Sequence, residues 1–164
     1  MNTLKTIRFK TTKTIEERII RKFFHMALYV PPGGTPFPKS IIDEPELYKY
    51  IENYGDKPGD LAVLAMKDIT IIGMIWGRIH NAANKGWGYI DEQTPEIGIA
   101  VLPMYRNMGI GTQLLNRLFA AYSDAGYNKL SLSVDKRNPS VQLYKRNGFT
   151  VVRDEGDSYV MKKG

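Results

Sequence analysis

The chain has 164 residues, 43% of them hydrophobic, with 23 Lys and Arg against 17 Asp and Glu for a formal charge of +6. That length and apolar content suit one compact domain, residues 1–164, able to bury its own core. The basic balance favours anionic partners, while the lack of Cys excludes disulfides, thiolate metal sites and a cysteine nucleophile, and two His argue against a His-rich metal centre.

Charged residues punctuate the whole N-terminal stretch, so no secretory signal is expected, and no apolar run approaches the roughly 20 residues of a membrane span. A soluble, cytoplasmic protein with no membrane partner follows as the expectation. The charge is uneven: residues 1–22 and 104–146 are basic, whereas residues 39–60 carry Asp43, Glu44, Glu46, Glu52, Asp56 and Asp60.

In chain order, TLKTIRFK alternates as a strand does, and TIEERIIRKFFHMALYV then sets Ile15, Ile19, Phe23 and Met26 at helical spacing. PPGGTPFPK is too rich in Pro and Gly to continue that helix and reads as an irregular loop. DEPELYKYIENYG predicts a second, shorter helix, with Asp43 near its start, Pro45 in its first turn and Gly55 beyond its end. DLAVLAM and ITIIGMIWGRIH predict an antiparallel hairpin turning near Lys67 and Asp68.

NAANKGWGYIDEQTP has turn chemistry and little periodicity. EIGIAVLP predicts a buried strand ended by Pro103, and TQLLNRLFAAYSDAG a helix with Leu114, Leu115, Leu118, Phe119 and Tyr122 on one face and Gly126 as its stop. KLSLSV alternates as a further strand. NPSVQLYKRNG predicts a helix with Asn138 as N-cap, Pro139 at the first helical position and Gly148 as terminator. FTVVRD and SYVMKK predict a closing hairpin about Glu155 to Asp157. The order gives a mixed α+β fold, with both hairpin-joined and helix-joined strands in one sheet.

Chemistry concentrates in EIGIAVLPMYRNMGIGTQLL, where a strand runs into two glycines and a helix. Gly109 and Gly111 can take positive φ and turn backbone N–H groups inward beside the partly positive helix N-terminus, a concavity suited to phosphate. Arg106 can add a forked cationic donor. The residues alone equally allow a tight strand-to-helix turn with Arg106 solvated. The spacing lacks the third glycine of a dinucleotide fingerprint, and no GxxxxGK[ST] occurs.

Arg106xxGly109xGly111 before a helix, followed by Asn138, Tyr144, Gly148 and Phe149, resembles the GCN5-related N-acetyltransferase (GNAT) family, most strongly over residues 96–149. The resemblance implies a central mixed, mostly antiparallel, twisted sheet of six to seven strands flanked by about four helices. It implies acetyl-CoA as co-substrate and no metal. Ile99, Ala100 and Val101 then pair with the pantetheine arm, and Arg106, Asn107, Met108, Gly109, Ile110, Gly111 and Thr112 hold the pyrophosphate. Asn138 faces the cofactor from the opposite wall; as an Asn before Pro it is also a sufficient N-cap.

Tyr144 resembles the family tyrosine that protonates the departing thiolate, a role that suits a phenol with pKa about 10. Packing into the core as a helical aromatic is the alternative. Glu96 is the candidate base, against the alternative of an exposed strand-end carboxylate. Some family members carry a glutamate on the next strand, where this chain has Ser133. The implied reaction is direct acyl transfer to a primary amine of a small molecule or peptide, with a backbone N–H near Val101 stabilising the oxyanion and no covalent enzyme intermediate.

By the resemblance, the acidic residues 39–60 fall where the acceptor site is bordered and would favour a cationic amine, with Trp87 and Tyr89 helping to cover it; a solvated helix face and an ordinary loop are the alternative. A monomer or homodimer is expected. Rival readings are a non-catalytic acyl-CoA sensor, an N-terminal or lysine protein acetyltransferase, and a nucleic-acid module. The last finds no RNP-like, zinc, helix-turn-helix or KH signal, so no nucleic-acid partner is expected.

Overall fold

A computed structural model describes residues 6–164. Seven strands form one sheet in the order β1-β2-β3-β4-β5-β7-β6, comprising β1 (Ile7–Thr12), β2 (Leu61–Lys67), β3 (Thr70–Arg78), β4 (Glu96–Val101), β5 (Leu130–Asp135), β6 (Thr150–Asp154) and β7 (Ser158–Lys163). Four helices flank it: α1 (Glu17–Ala27), α2 (Pro45–Tyr48), α3 (Ile110–Asp124) and α4 (Ser140–Arg146). Neighbouring strands are antiparallel except β4 and β5. This is the mixed, mostly antiparallel sheet expected from the sequence.

Alternation along the strands sorts the core into two layers. Leu61, Val63 and Ala65 of β2, Ile75 of β3 and Ile97 of β4 face α3 and α4, against Leu114, Leu115, Leu118 and Tyr144. Ala62 and Leu64, then Met74 and Trp76, then Ala100 face the other way, against Ile20, Phe23 and Phe24 of α1 and Leu47 of α2. The β2–β3 hairpin turns at Asp68 and Ile69, between the paired Lys67 and Thr70, and Asp68 takes φ 54. The chain ends in the expected β6–β7 hairpin, with the Glu155 N–H donating to the Ser158 carbonyl across the turn at 2.9 Å.

Two elements differ from expectation. In α1 the buried residues are Ile20, Phe23 and Phe24, while the expected Ile19 and Met26, and Ile15 just before the helix, pack partly buried against them. The second helix is only Pro45–Tyr48, after a 3₁₀ turn at Lys39–Asp43, and the chain then runs through turns to Gly55. Its backbone bonds go partly to a buried side chain, because Arg78 donates to the carbonyls of Lys49 (3.1 Å) and Glu52 (2.8 Å). Residues 3–5 of the first expected strand lie outside the described residues.

Candidate active site

β4 and β5 pair in register only at Glu96 and Ser131, with the Ser131 N–H donating to the Pro95 carbonyl at 2.9 Å. Beyond that point the parallel strands part. Ile97 to Val101 keep β3 on one side but have no registered partner on the β5 side, so the main-chain groups of this stretch that point away from β3 face the gap, apart from the Val101 carbonyl, which Arg106 holds. Ile99, Ala100 and Val101, singled out from the sequence, lie along this parted stretch.

At the far end of β4 the chain makes a 3₁₀ turn at Pro103–Tyr105 and enters α3 through two left-handed residues, Asn107 (φ 61) and Gly109 (φ 81). These differ from the expected pair. Gly111 is already helical and is small for another reason: a Cβ there would sit 3.1 Å from Leu143 Cδ2 of α4. Nothing lies within 4 Å of a Cβ placed on Gly109, so its glycine serves the backbone angle rather than space. Arg106, exposed, donates from Nε to the Val101 carbonyl at 2.9 Å, tying the loop to the end of β4. Its guanidinium is thus partly committed, and Asn107 to Thr112 surround the amino end of a 15-residue helix.

Across the gap, the Asn138 side-chain oxygen accepts from the Ser140 N–H at 2.9 Å, which caps α4 and leaves the amide nitrogen to donate elsewhere. The helix ends in a left-handed Gly148 (φ 90), with the Phe149 N–H donating to the Tyr144 carbonyl at 3.0 Å. Tyr144 is buried, its ring 5.8 Å from Phe149 in an edge contact, and burial pushes its phenol well above the ordinary value. It is therefore protonated at neutral pH, as a donor must be.

Glu96 is 6% exposed, so it is not the exposed strand-end carboxylate that the sequence left open. Its side chain projects on the α2 side of the sheet, opposite to the face that packs Tyr144. Oε2 accepts a hydrogen bond from Tyr50 Oη at 2.8 Å, and Oε1 is buried without a hydrogen-bond partner. Burial pushes this carboxyl up to about 7, against the opposing pull of the Tyr50 hydrogen bond, the nearby Gly88 amide and the Lys49 charge. A carboxylate near neutral pKa is matched to general-base work.

The loop 79–95 covers Glu96. A Cβ on Gly86 would collide with Glu96 Oε1 and with Tyr50 Oη, and one on Gly88 would lie 3.1 Å from the Glu96 carboxyl carbon, so both glycines permit close approach to the carboxylate. Gly86 also lines a cleft of about 420 Å³ with Trp87, Ser133, Arg153, Glu155 and Ser158. Trp87 is 54% exposed there. Neither Glu46 nor Glu52 belongs to this lining: Glu46 accepts from Lys49 Nζ at 2.8 Å, and the acidic segment approaches the cleft only through Lys49 and Tyr50. Tyr89, expected with Trp87, is outside the lining, and its carbonyl accepts from the cleft residue Arg153 at 3.2 Å.

Sequence reasoning missed Tyr50, because its contact with Glu96 spans 46 residues and no local pattern marks it. Among the described residues no group of three or more His, Cys, Asp or Glu could hold a metal, and no helix is long and apolar enough to cross a membrane.

A family model described as the acetyltransferase (GNAT) family matches residues 26–149. An N-alpha-acetyltransferase of Sulfurisphaera tokodaii is 32% identical over 116 residues, which make up 60% of this chain and 65% of that relative, slightly under two thirds of its length. Among solved structures, the GNAT domain of S. lividans PAT superposes with a TM-score of 0.70 at 14% identity, covering 95% of this chain and 89% of that one. The PaiA N-acetyltransferase of Thermoplasma acidophilum in complex with coenzyme A gives 0.65 at 18%, covering 95% and 98%. At those identities the structures speak for the fold alone, whereas the match over residues 26–149 places this chain in the acetyltransferase (GNAT) family.

Proposed function

We propose that this chain transfers an acetyl group from acetyl-CoA directly to a primary amine of a small molecule or peptide. The parting of β4 and β5 beyond Glu96 and Ser131 carries the reading, because it joins a phosphate-type cradle on one face of the sheet to a buried carboxylate on the other. The fit to coenzyme A rests on that gap, on the left-handed Asn107 and Gly109 that open the α3 entry, and on the missing Cβ of Gly111 against Leu143.

Acetyl-CoA supplies the activated thioester. The parted stretch of Ile99, Ala100 and Val101 takes its pantetheine amides, with the Val101 carbonyl already held by Arg106, and Asn107 to Thr112 with Arg106 hold the diphosphate. Asn138 offers an amide nitrogen from the opposite wall. Tyr144 delivers a proton to the thiolate sulfur, and Glu96 withdraws one from the acceptor ammonium, directly or through a water. The cleft under Trp87 receives the amine. The similarity to an N-alpha-acetyltransferase favours a peptide α-amine among the possible acceptors.

Titration of the purified chain with CoA tests the cofactor half, and thiol release from acetyl-CoA across a panel of amines, amino acids and peptide N-termini tests the rest. Absence of both heat and thermal shift on CoA addition overturns the reading. CoA binding without thiol release toward any amine leaves the acyl-CoA sensor in its place.

A further inference from the structure

Tyr50 has no part in the chemistry described so far, yet its hydroxyl is bonded on both sides. It donates to Glu96 Oε2 at 2.8 Å and accepts the main-chain N–H of Trp87 at 2.7 Å. The ring is fixed from three directions: Phe24 at 5.5 Å, His80 at 4.7 Å and Trp87 at 5.8 Å between centroids. The preceding residue reinforces the attachment, since Lys49 Nζ donates to the Lys85 carbonyl at 2.6 Å and to Asn84 Oδ1 at 3.3 Å. The segment that carries both is held by Arg78, which is itself fixed by two bonds to Asp60 at 2.9 and 2.8 Å.

We propose that Tyr50 is a positioning residue for the acyl transfer, holding the Glu96 carboxylate and the Gly86–Trp87 wall of the acceptor cleft as one unit through a single hydroxyl. The inference rests on the reading of Glu96 as the base. With Oε2 bound to Tyr50, the rotation of the carboxyl is fixed, and Oε1, with no hydrogen-bond partner among the described residues, is buried directly behind Gly86, which lines the cleft. An anchor for the loop alone would need only the Trp87 bond, and the donor bond to Glu96 is what links seating of the acceptor to the state of the base.

The groups about Glu96 from each neighbouring element are Tyr50 and Lys49 from the α2 segment, His80 from the loop against the Tyr50 ring, Arg78 with its partner Asp60 beside the β3 end, and Ser131 from β5. His80 is held near 4 by burial and by the charges of Lys49 and Arg78, so it is neutral at working pH and does not titrate alongside Glu96. Ser131 does not titrate. Tyr50 itself is pushed far above the ordinary phenol value, so it acts as a donor throughout.

The test is Tyr50→Phe, which keeps the ring and removes both bonds, read by ¹³C NMR titration of the Glu96 carboxyl and by the acid limb of kcat/KM for thiol release. Loss of a bond to the charged form raises the Glu96 midpoint by about one pH unit, and the kinetic limb moves with it; the rate falls roughly tenfold below the limb and meets that of the parent at high pH. Site-specific 3-fluorotyrosine at position 50 keeps both bonds with a stronger donor and moves the midpoint the other way, which keeps the test decisive if Tyr50→Phe folds poorly. A Glu96 midpoint unmoved in both variants overturns the proposal and leaves Tyr50 as a loop anchor. A limb that survives in Glu96→Gln overturns the base assignment, and this inference with it; a limb lost in Glu96→Gln but unmoved by Tyr50→Phe overturns this inference alone.

Discussion

Glu96 and Ser131 are the single register pair that joins β4 to β5, and their position at the amino end of both strands makes the sheet open like a wedge from that point. The wedge connects two faces that are otherwise sealed by core. Tyr144 packs on the α3 and α4 side, and Glu96 on the α2 side, so the donor and base proposed above lie on opposite faces of the sheet. A closed β4–β5 ladder would separate them by a layer of hydrogen-bonded main chain.

Replacing Tyr144 by Phe removes the proposed donor while keeping the edge contact with Phe149. Turnover should fall by roughly a hundredfold or more, with the Kd for CoA by calorimetry unchanged. Unaltered kcat would return Tyr144 to a purely packing role.

Glu96 has a folded-state pKa of about 7, raised above the ordinary 4.5. Its contribution to stability is therefore fully present below about 4.5, is lost as pH rises through about 7, and is constant above. Gln does not titrate, so Glu96→Gln should gain about 2 to 3 kcal/mol relative to the parent between pH 5 and pH 8 while losing activity. Denaturant unfolding at the two pH values reads this difference, and a gain independent of pH would mean Glu96 is not strained by burial.

Gly109 and Gly126 have similar positive φ, 81 and 93, and open space where a Cβ would go. Ala at either position should cost about 1 kcal/mol in stability from the backbone angle alone. Only Gly109→Ala should also weaken CoA binding, because Gly126 lies at the other end of α3. Equal CoA affinity in both variants would remove the α3 entry from the cofactor site.

Asp60 and Arg78 form a buried pair, with side chains 0% and 1% exposed. Asp60→Asn leaves the guanidinium without its counter-charge and should cost about 3 to 5 kcal/mol, seen as a large drop in thermal midpoint. A loss under 1 kcal/mol would show that the carbonyls of Lys49 and Glu52 suffice to hold Arg78.

Trp87 is half exposed at the cleft, and its main-chain N–H keeps the loop on Tyr50 whatever its side chain. Trp87→Ala should raise the acceptor KM several-fold with CoA affinity and thermal midpoint little changed. An unchanged acceptor KM would place the amine elsewhere.

The strands, the α3 and α4 faces and both hairpins were legible because each rests on local periodicity and turn residues. The strand-to-helix turn at Gly109 was legible in the same way, whereas the roles proposed for Arg106 to Thr112 and for Tyr144 come from the resemblance to the GNAT family. Two details were not. Why Gly111 must be small is decided by Leu143, a contact from another helix, and not by a backbone angle. The shortness of α2 depends on Arg78, which draws the Lys49 and Glu52 carbonyls toward β3.

The sequence by itself determined the element order, the apolar face of α3 and the glycine-marked entry to it, since these follow from side-chain period and backbone preference within short windows. Only the tertiary structure decided that Glu96 is buried, that Tyr50 grips it, and that Gly86 and Gly88 leave room beside it. The physical reason is that desolvation and hydrogen bonding depend on neighbours brought from 46 residues away, and no local pattern encodes the dielectric around a carboxylate.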